Sequence, residues 1–209
     1  MRETGYFPEV IGAGRAWVYV LPCRERDILK VGFSRDPLQR LHALHRRFFE
    51  FFDLERALLV EADTVREARF IERALIRHVA AMRAPAPLAV REVAAGGTEW
   101  FAGVAPEVVS MARMLAAERG HVLHAPLAAW LRRRLATAHD VLYGWSARLL
   151  DAVAYEHFNL PASGVPDRRA AEALRETLDL LAALDMELQD FLPQAVLDWY
   201  RYGCVPGRD

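Results

Sequence analysis

The chain of 209 residues is 53% hydrophobic and 26% charged, a composition that excludes a disordered or collagen-like protein and leaves room for one large or two small domains. Its 27 cations and 28 anions nearly cancel, which excludes a uniformly basic nucleic-acid binder and confines any such binding to a local surface. No uncharged stretch approaches the ~18 residues of a membrane span, and Cys23 and Cys204 fit no metal or redox spacing, so the expectation is a cytoplasmic protein with no membrane partner.

In chain order, residues 16–21 and 28–34 are short, β-branched and aromatic, and the polar segment 22–27 between them predicts a hairpin. Asp36 offers a helix N-cap, Pro37 the first helical position and Gln39 the partner three residues on, which predicts a helix over 37–48. Residues 54–62 read as a third strand. Thr64 and Glu67 form a second capping pair, opening a helix to about residue 82, and 83–98 read as loop, with Pro85, Pro87, Gly96 and Gly97. Beyond Pro106 the pattern predicts helices alone. One spans 127–158 on the stripe Leu131, Leu135, Leu142, Trp145, Leu149 and Val153. After a turn at 159–166, another spans 167–190 on Leu174, Leu178, Leu181, Leu184 and Leu188, and a third, around 194–200, closes the group. The expected fold is α+β: a small three-stranded antiparallel sheet flanked by helices in a domain of residues 1–121, followed by an all-α helical domain of residues 122–209.

On a helical wheel of ~100° per residue, the segment after Thr64 places Ala68, Ile71, Leu75, Ile76 and Val79 on one stripe, with Glu72 inside it. An unpaired buried charge is costly, so Glu72 must be protonated, paired with a cation or bound to a metal. Arg66, Arg69, Arg73 and Arg77 line the opposite face, as a solvated row or as a phosphate track. In the hairpin, Trp17, Tyr19 and Leu21 share one face of the first strand, and Ile28, Lys30, Gly32 and Ser34 one face of the second. Pairing Leu21 with Ile28 sets Tyr19 directly opposite Lys30, the single lysine among 27 cations. A neighbouring cation lowers a tyrosine's proton affinity, as a general base requires; a tyrosine beside a lysine at a sheet edge is also an ordinary structural pair. Gly32 within a strand predicts close approach of another backbone or a ligand. Arg40 lies just outside the stripe of Leu38, Leu41, Leu44, His45 and Phe48, facing either a cleft or solvent. His45 reads as a core residue and His42 as an active-site neighbour, and the seven histidines supply no convincing metal pair.

Together these positions resemble the GIY-YIG endonuclease superfamily over residues 15–115. Val18-Tyr19 resembles the first name-giving motif, Lys30-Val31-Gly32 the second, Arg40 the arginine of the following helix and Glu72 the glutamate of a later one. Lys30 in place of the second tyrosine, with Glu99-Trp100-Phe101 near the end, resembles the branch found in phage proteins and in meiotically up-regulated fungal proteins; Trp17 stands where the first motif has glycine. The resemblance implies a hydrolase, an endonuclease that cuts DNA phosphodiester bonds with Mg²⁺ or Mn²⁺ held by Glu72. Tyr19 helped by Lys30, or Lys30 itself, would take the proton of the attacking water, and Arg40 would neutralise charge on the phosphate. Arg35, His42, Arg69 and Arg73 would contact DNA. The altered motifs and near-neutral charge motivate an alternative: a catalytically inactive GIY-YIG-like module that binds nucleic acid or protein. The helical half resembles no family and is expected to serve homodimerisation or the docking of a protein partner.

Overall fold

The computed structural model describes residues 15–90, 99–159, 168–205 and 207. The chain forms one compact unit of Ile11–Leu131 and a second that holds Arg132–Asp209.

In the first unit, β1 (Ala16–Pro22) and β2 (Ile28–Ser34) form the hairpin. Asp36 accepts from the Gln39 amide at 2.9 Å and starts α1 (Pro37–Leu44) with Pro37 in its first turn. The helix stops earlier than expected, at an extended His45, and the chain resumes as one turn, α2 (Phe48–Phe51), whose Phe51 stacks on His45. β3 (Leu58–Ala62) starts later than the hydrophobic run suggests, because Asp53 Oδ1 accepts from the amides of Glu55 and Arg56, each at 3.2 Å, and turns the chain first. The Thr64–Glu67 capping box opens α3 (Val65–His78), which gives way to a short 3-10 turn at Ala80–Met82. β4 (Trp100–Ala102), α4 (Ala105–Arg119), β5 (Val122–His124) and α5 (Leu127–Ala136) follow.

The fold class is α+β, but among the described residues the sheet has five strands rather than three, in the order β4-β2-β1-β3-β5 with every neighbouring pair antiparallel. The three expected strands are its centre. Both added strands are three residues long, too short to display alternation in sequence. Because β5 pairs with β3, the first unit runs on to Leu131 instead of ending at 121. Of the expected loop 83–98, residues 83–90 contain no helix, and Arg83 bridges to Phe101; residues 91–98 lie outside the described residues.

Alternation sorts the strand side chains onto two faces. Val18, Val20, Leu29, Val31, Leu58 and Val60 pack with Ala68, Ile71 and Leu75 of α3 and with Val108 and Ala112 of α4. Each valine, leucine and isoleucine of this layer is worth about 1.5–3 kcal/mol when taken fully out of water. Trp17, Tyr19, Leu21, Lys30 and Trp100 belong to the opposite face, and all are buried.

The second unit is helical. The expected helix over 127–158 is two helices, α5 and α6 (His139–Asn159), separated near Thr137, whose hydroxyl donates to the Arg134 carbonyl at 2.8 Å. α7 (Arg169–Ala183) ends short of the expected residue 190, and Arg132 Nε donates to the Leu184 carbonyl at 2.7 Å just beyond that end. Leu142, Trp145 and Leu149 of α6 and Leu174, Leu178 and Leu181 of α7 are buried along the expected stripes. α8 (Gln194–Tyr202) closes with Gly203 at φ +71°, the left-handed conformation that favours glycine. Beyond Asn159, the expected turn 159–166 lies outside the described residues. Among the described residues no helix is long and apolar enough to cross a membrane.

Candidate active site

The hairpin register departs from the sequence expectation by two residues: Leu21 pairs with Lys30 and Tyr19 with Gly32. A shift of one would have sent Lys30 to the other face, whereas a shift of two keeps it on the face of Tyr19 but moves it to the diagonal. The register follows from the turn, because the Cys23 amide donates to the Ile28 carbonyl at 2.8 Å and leaves Arg24–Asp27 as the loop. Gly32 therefore lies beneath Tyr19. A Cβ there would collide with the phenol ring, so the close approach that this glycine permits is to Tyr19, not to another backbone or a ligand. The first turn of α1, set by Asp36 and Pro37, brings Arg40 to the site, where its Nε donates to the Tyr19 hydroxyl oxygen at 3.2 Å.

Lys30 is not at a sheet edge, since β4 pairs along its strand and leaves its side chain wholly buried. Its Nζ donates to Glu99 Oε2 at 2.6 Å and to the Val31 carbonyl at 3.1 Å, and sits 5.8 Å from the Trp100 ring centre. Burial pulls the Lys30 ammonium below its usual range, and Glu99 offsets part of that effect. Burial also raises Tyr19, against the lowering influence of Arg40; the sequence-based expectation of a phenol made more acidic by a cation is reversed. The cation that touches Tyr19 is Arg40 rather than Lys30.

Glu72, on α3, is half-buried and makes no hydrogen bond or ion pair with any described residue, although Lys30, Arg69 and Arg73 act on it electrostatically. Burial, then the nearby Glu99 carboxylate, raise it above the usual glutamate range. Arg40 touches Tyr19, Glu99 pairs with Lys30, and Glu72 lies near enough to Tyr19 and Lys30 to act on their proton affinities, which makes these five side chains one cluster. The pairing of Glu99 with Lys30 was not foreseen, because it depends on the unread strand β4; the demand of a buried lysine for an anion was the one available signal.

Arg69 and Arg73 stand exposed on α3, with the Arg69 guanidinium 5.5 Å from the Phe33 ring centre. Arg35 is exposed and makes no hydrogen bond or ion pair to the described residues, while His42 is half-buried on α1. Neither is shown in the cluster. His45 is half-buried against Phe51, with its Nδ1 buried and without a hydrogen bond. Among the described residues no group of three or more His, Cys, Asp or Glu side chains could hold a metal. A site built on Glu72 alone, with water completing the shell, still fits the habits of Mg²⁺, and the unpaired half-buried carboxylate suits a cation.

A model of the T5orf172 domain family matches residues 16–116, just under half of the chain and almost the span over which the motifs lie. No curated protein and no solved structure matches the chain.

Proposed function

From the T5orf172 match and the cluster around Glu72, we propose that residues 11–131 form a metal-dependent endonuclease unit that hydrolyses DNA phosphodiester bonds. The match supports a nuclease-like or DNA-binding function at the coarser level. The observation that carries the finer reading is Glu72: a half-buried carboxylate with no hydrogen bond or ion pair among the described residues, near enough to a phenol, an ammonium and a second carboxylate to interact with their charge. In this reading Glu72 holds Mg²⁺ or Mn²⁺, which when bound supplies Lewis-acid stabilisation of the phosphate. Arg40 adds positive charge beside Tyr19, where a phosphate oxygen would lie. Burial keeps Tyr19 a neutral phenol, which fits it to donate a hydrogen bond and orient water or phosphate rather than to accept a proton. Burial lowers the proton affinity of Lys30 and Glu99 restores part of it; in this reading Lys30 passes its proton to the partly exposed Glu99 and then takes the proton of the attacking water. Arg35, His42, Arg69 and Arg73 would hold flanking DNA.

The Lys30–Glu99 pair supports a second reading, in which the buried ion pair is a brace and the unit binds DNA without cutting it. Cleavage assays on supercoiled, linear and single-stranded DNA with Mg²⁺ or Mn²⁺ separate the two. Cutting that chelation stops, and that Glu72→Ala lowers by at least roughly 1000-fold with the fold retained, is the expected result. Equal activity in Glu72→Ala removes the metal assignment. Salt-sensitive binding with no cleavage of any form favours the second reading.

A further inference from the structure

The exposed side of α3 carries Arg66, Arg69, Arg73 and Arg77, and none of the four makes a hydrogen bond or ion pair with the described residues. At ~100° per residue the row occupies a band about 80° wide, next to the angular position of Glu72. Like charges three and four residues apart work against the helix, so the row is a local cost that no hydrogen bond or ion pair among the described residues offsets. The row also lines a groove of about 640 Å³ together with Val65, Phe70 and Ala74. Phe70 is 49% exposed, and the Arg119 guanidinium of α4 lies 3.8 Å from its ring centre. On the hairpin side, Arg69 covers Phe33.

We infer that this face of α3 is a track for the phosphodiester backbone of a nucleic-acid strand, with Arg66, Arg69, Arg73 and Arg77 as successive phosphate-holding residues. The inference deepens the reading above and rests on it for the chemistry of the ligand. Arg66 and Arg77 are separated by 11 residues, or ~16 Å of helix, a length that spans about five phosphates at ~3.4 Å of rise each. Glu72 falls between Arg69 and Arg73 along the axis, so the backbone is held on both sides of the acid. The exposed Phe70, with the Arg119 guanidinium over its ring, supplies beside the row an aromatic surface of the kind on which bases rest in nucleic-acid grooves. An acidic peptide would satisfy the charge but would make no use of the aromatic rings.

The test uses the full chain carrying Glu72→Gln, so that binding is read without cleavage. Affinity for a 20-nucleotide single strand and for the corresponding duplex is measured from low to moderate salt. Adding Arg66→Gln and Arg77→Gln should weaken whichever form the parent binds by roughly tenfold or more, and should reduce the slope of log affinity against log salt by about 1.4–1.8. Arg133→Gln with Arg148→Gln removes the same charge from the other unit and should leave both quantities unchanged. Ridge and control pairs that behave alike, a parent that binds neither probe, or competition by polyglutamate as strong as that by nucleic acid, charge for charge, overturns the inference. Because the readout is binding, a ridge effect without wild-type cleavage retains the track and loses the nuclease, whereas wild-type cleavage without a ridge effect does the reverse.

Discussion

On one face of the sheet, Val18, Val20, Val31, Leu58 and Val60 meet the aliphatic side chains of α3 and α4 in a continuous apolar layer. On the other, the same three central strands present a phenol above a glycine and a buried ammonium against a tryptophan ring. The first face has what a fold needs, interchangeable apolar volume. The second departs from it at specific places: Gly32 has no side chain to pack, and Lys30 occupies an interior position that a methionine could fill without desolvating a charge. Such local departures from packing logic are the positions that the proposed function uses, together with Glu72 of α3.

The comparison breaks most sharply at Lys30. Lys30→Met is expected to lower cleavage by about 100-fold, equivalent to about 2.7 kcal/mol in the barrier, while the melting temperature changes little. Methionine fills similar volume without a charge, and Glu99, whose side chain is 31% exposed, can regain water. Retained cleavage in this variant would make the ion pair a brace and the second face a packing face like the first. Gly32→Ala sharpens the contrast on the structural side. It should cost about 1–3 kcal/mol in urea unfolding through overpacking against Tyr19, and Tyr19→Leu in the same chain should recover most of it. Losses that simply add would show that the ring and the glycine are not coupled.

The smallest effect is a pH signature. The folded-state value of Glu72 lies above the unfolded reference of 4.5, so the folded chain binds this proton more tightly, and stability falls as pH rises from 4.5 through the folded value. Glu72→Gln escapes that loss. It should melt at a higher temperature than the natural chain at neutral pH, with the difference closing below pH 4.5. A Glu72→Gln chain that is less stable at neutral pH would mean that the carboxylate is satisfied in the fold, and the argument for a cation there would fail.

The helix starts were legible because the capping residues act within one turn: Asp36 with Gln39, and Thr64 with Glu67, form the expected caps. Strand and helix periods put Tyr19 and Lys30 on one face of the hairpin and Glu72 within the stripe of its helix, while the grouping of these three with Arg40 came from the family resemblance. Their proton affinities were not legible. Tyr19 moves upward rather than downward because burial outweighs the guanidinium beside it, and burial is a property of the closed sheet. Glu99 was noticed only as part of a family-like segment; its pairing with Lys30 was not, because it crosses 69 positions of chain.

The α+β class, the three central strands and the capped starts of α1 and α3 were set by the amino-acid order alone, as consequences of short-range periodicity, capping and turn chemistry. The tertiary structure decided the hairpin register, the two edge strands, the extension of the first unit to Leu131, the complete burial of Lys30 and its capture by Glu99. Those features depend on backbone hydrogen bonds and desolvation between segments far apart in the chain, and such interactions acquire their strength only when the sheet has closed.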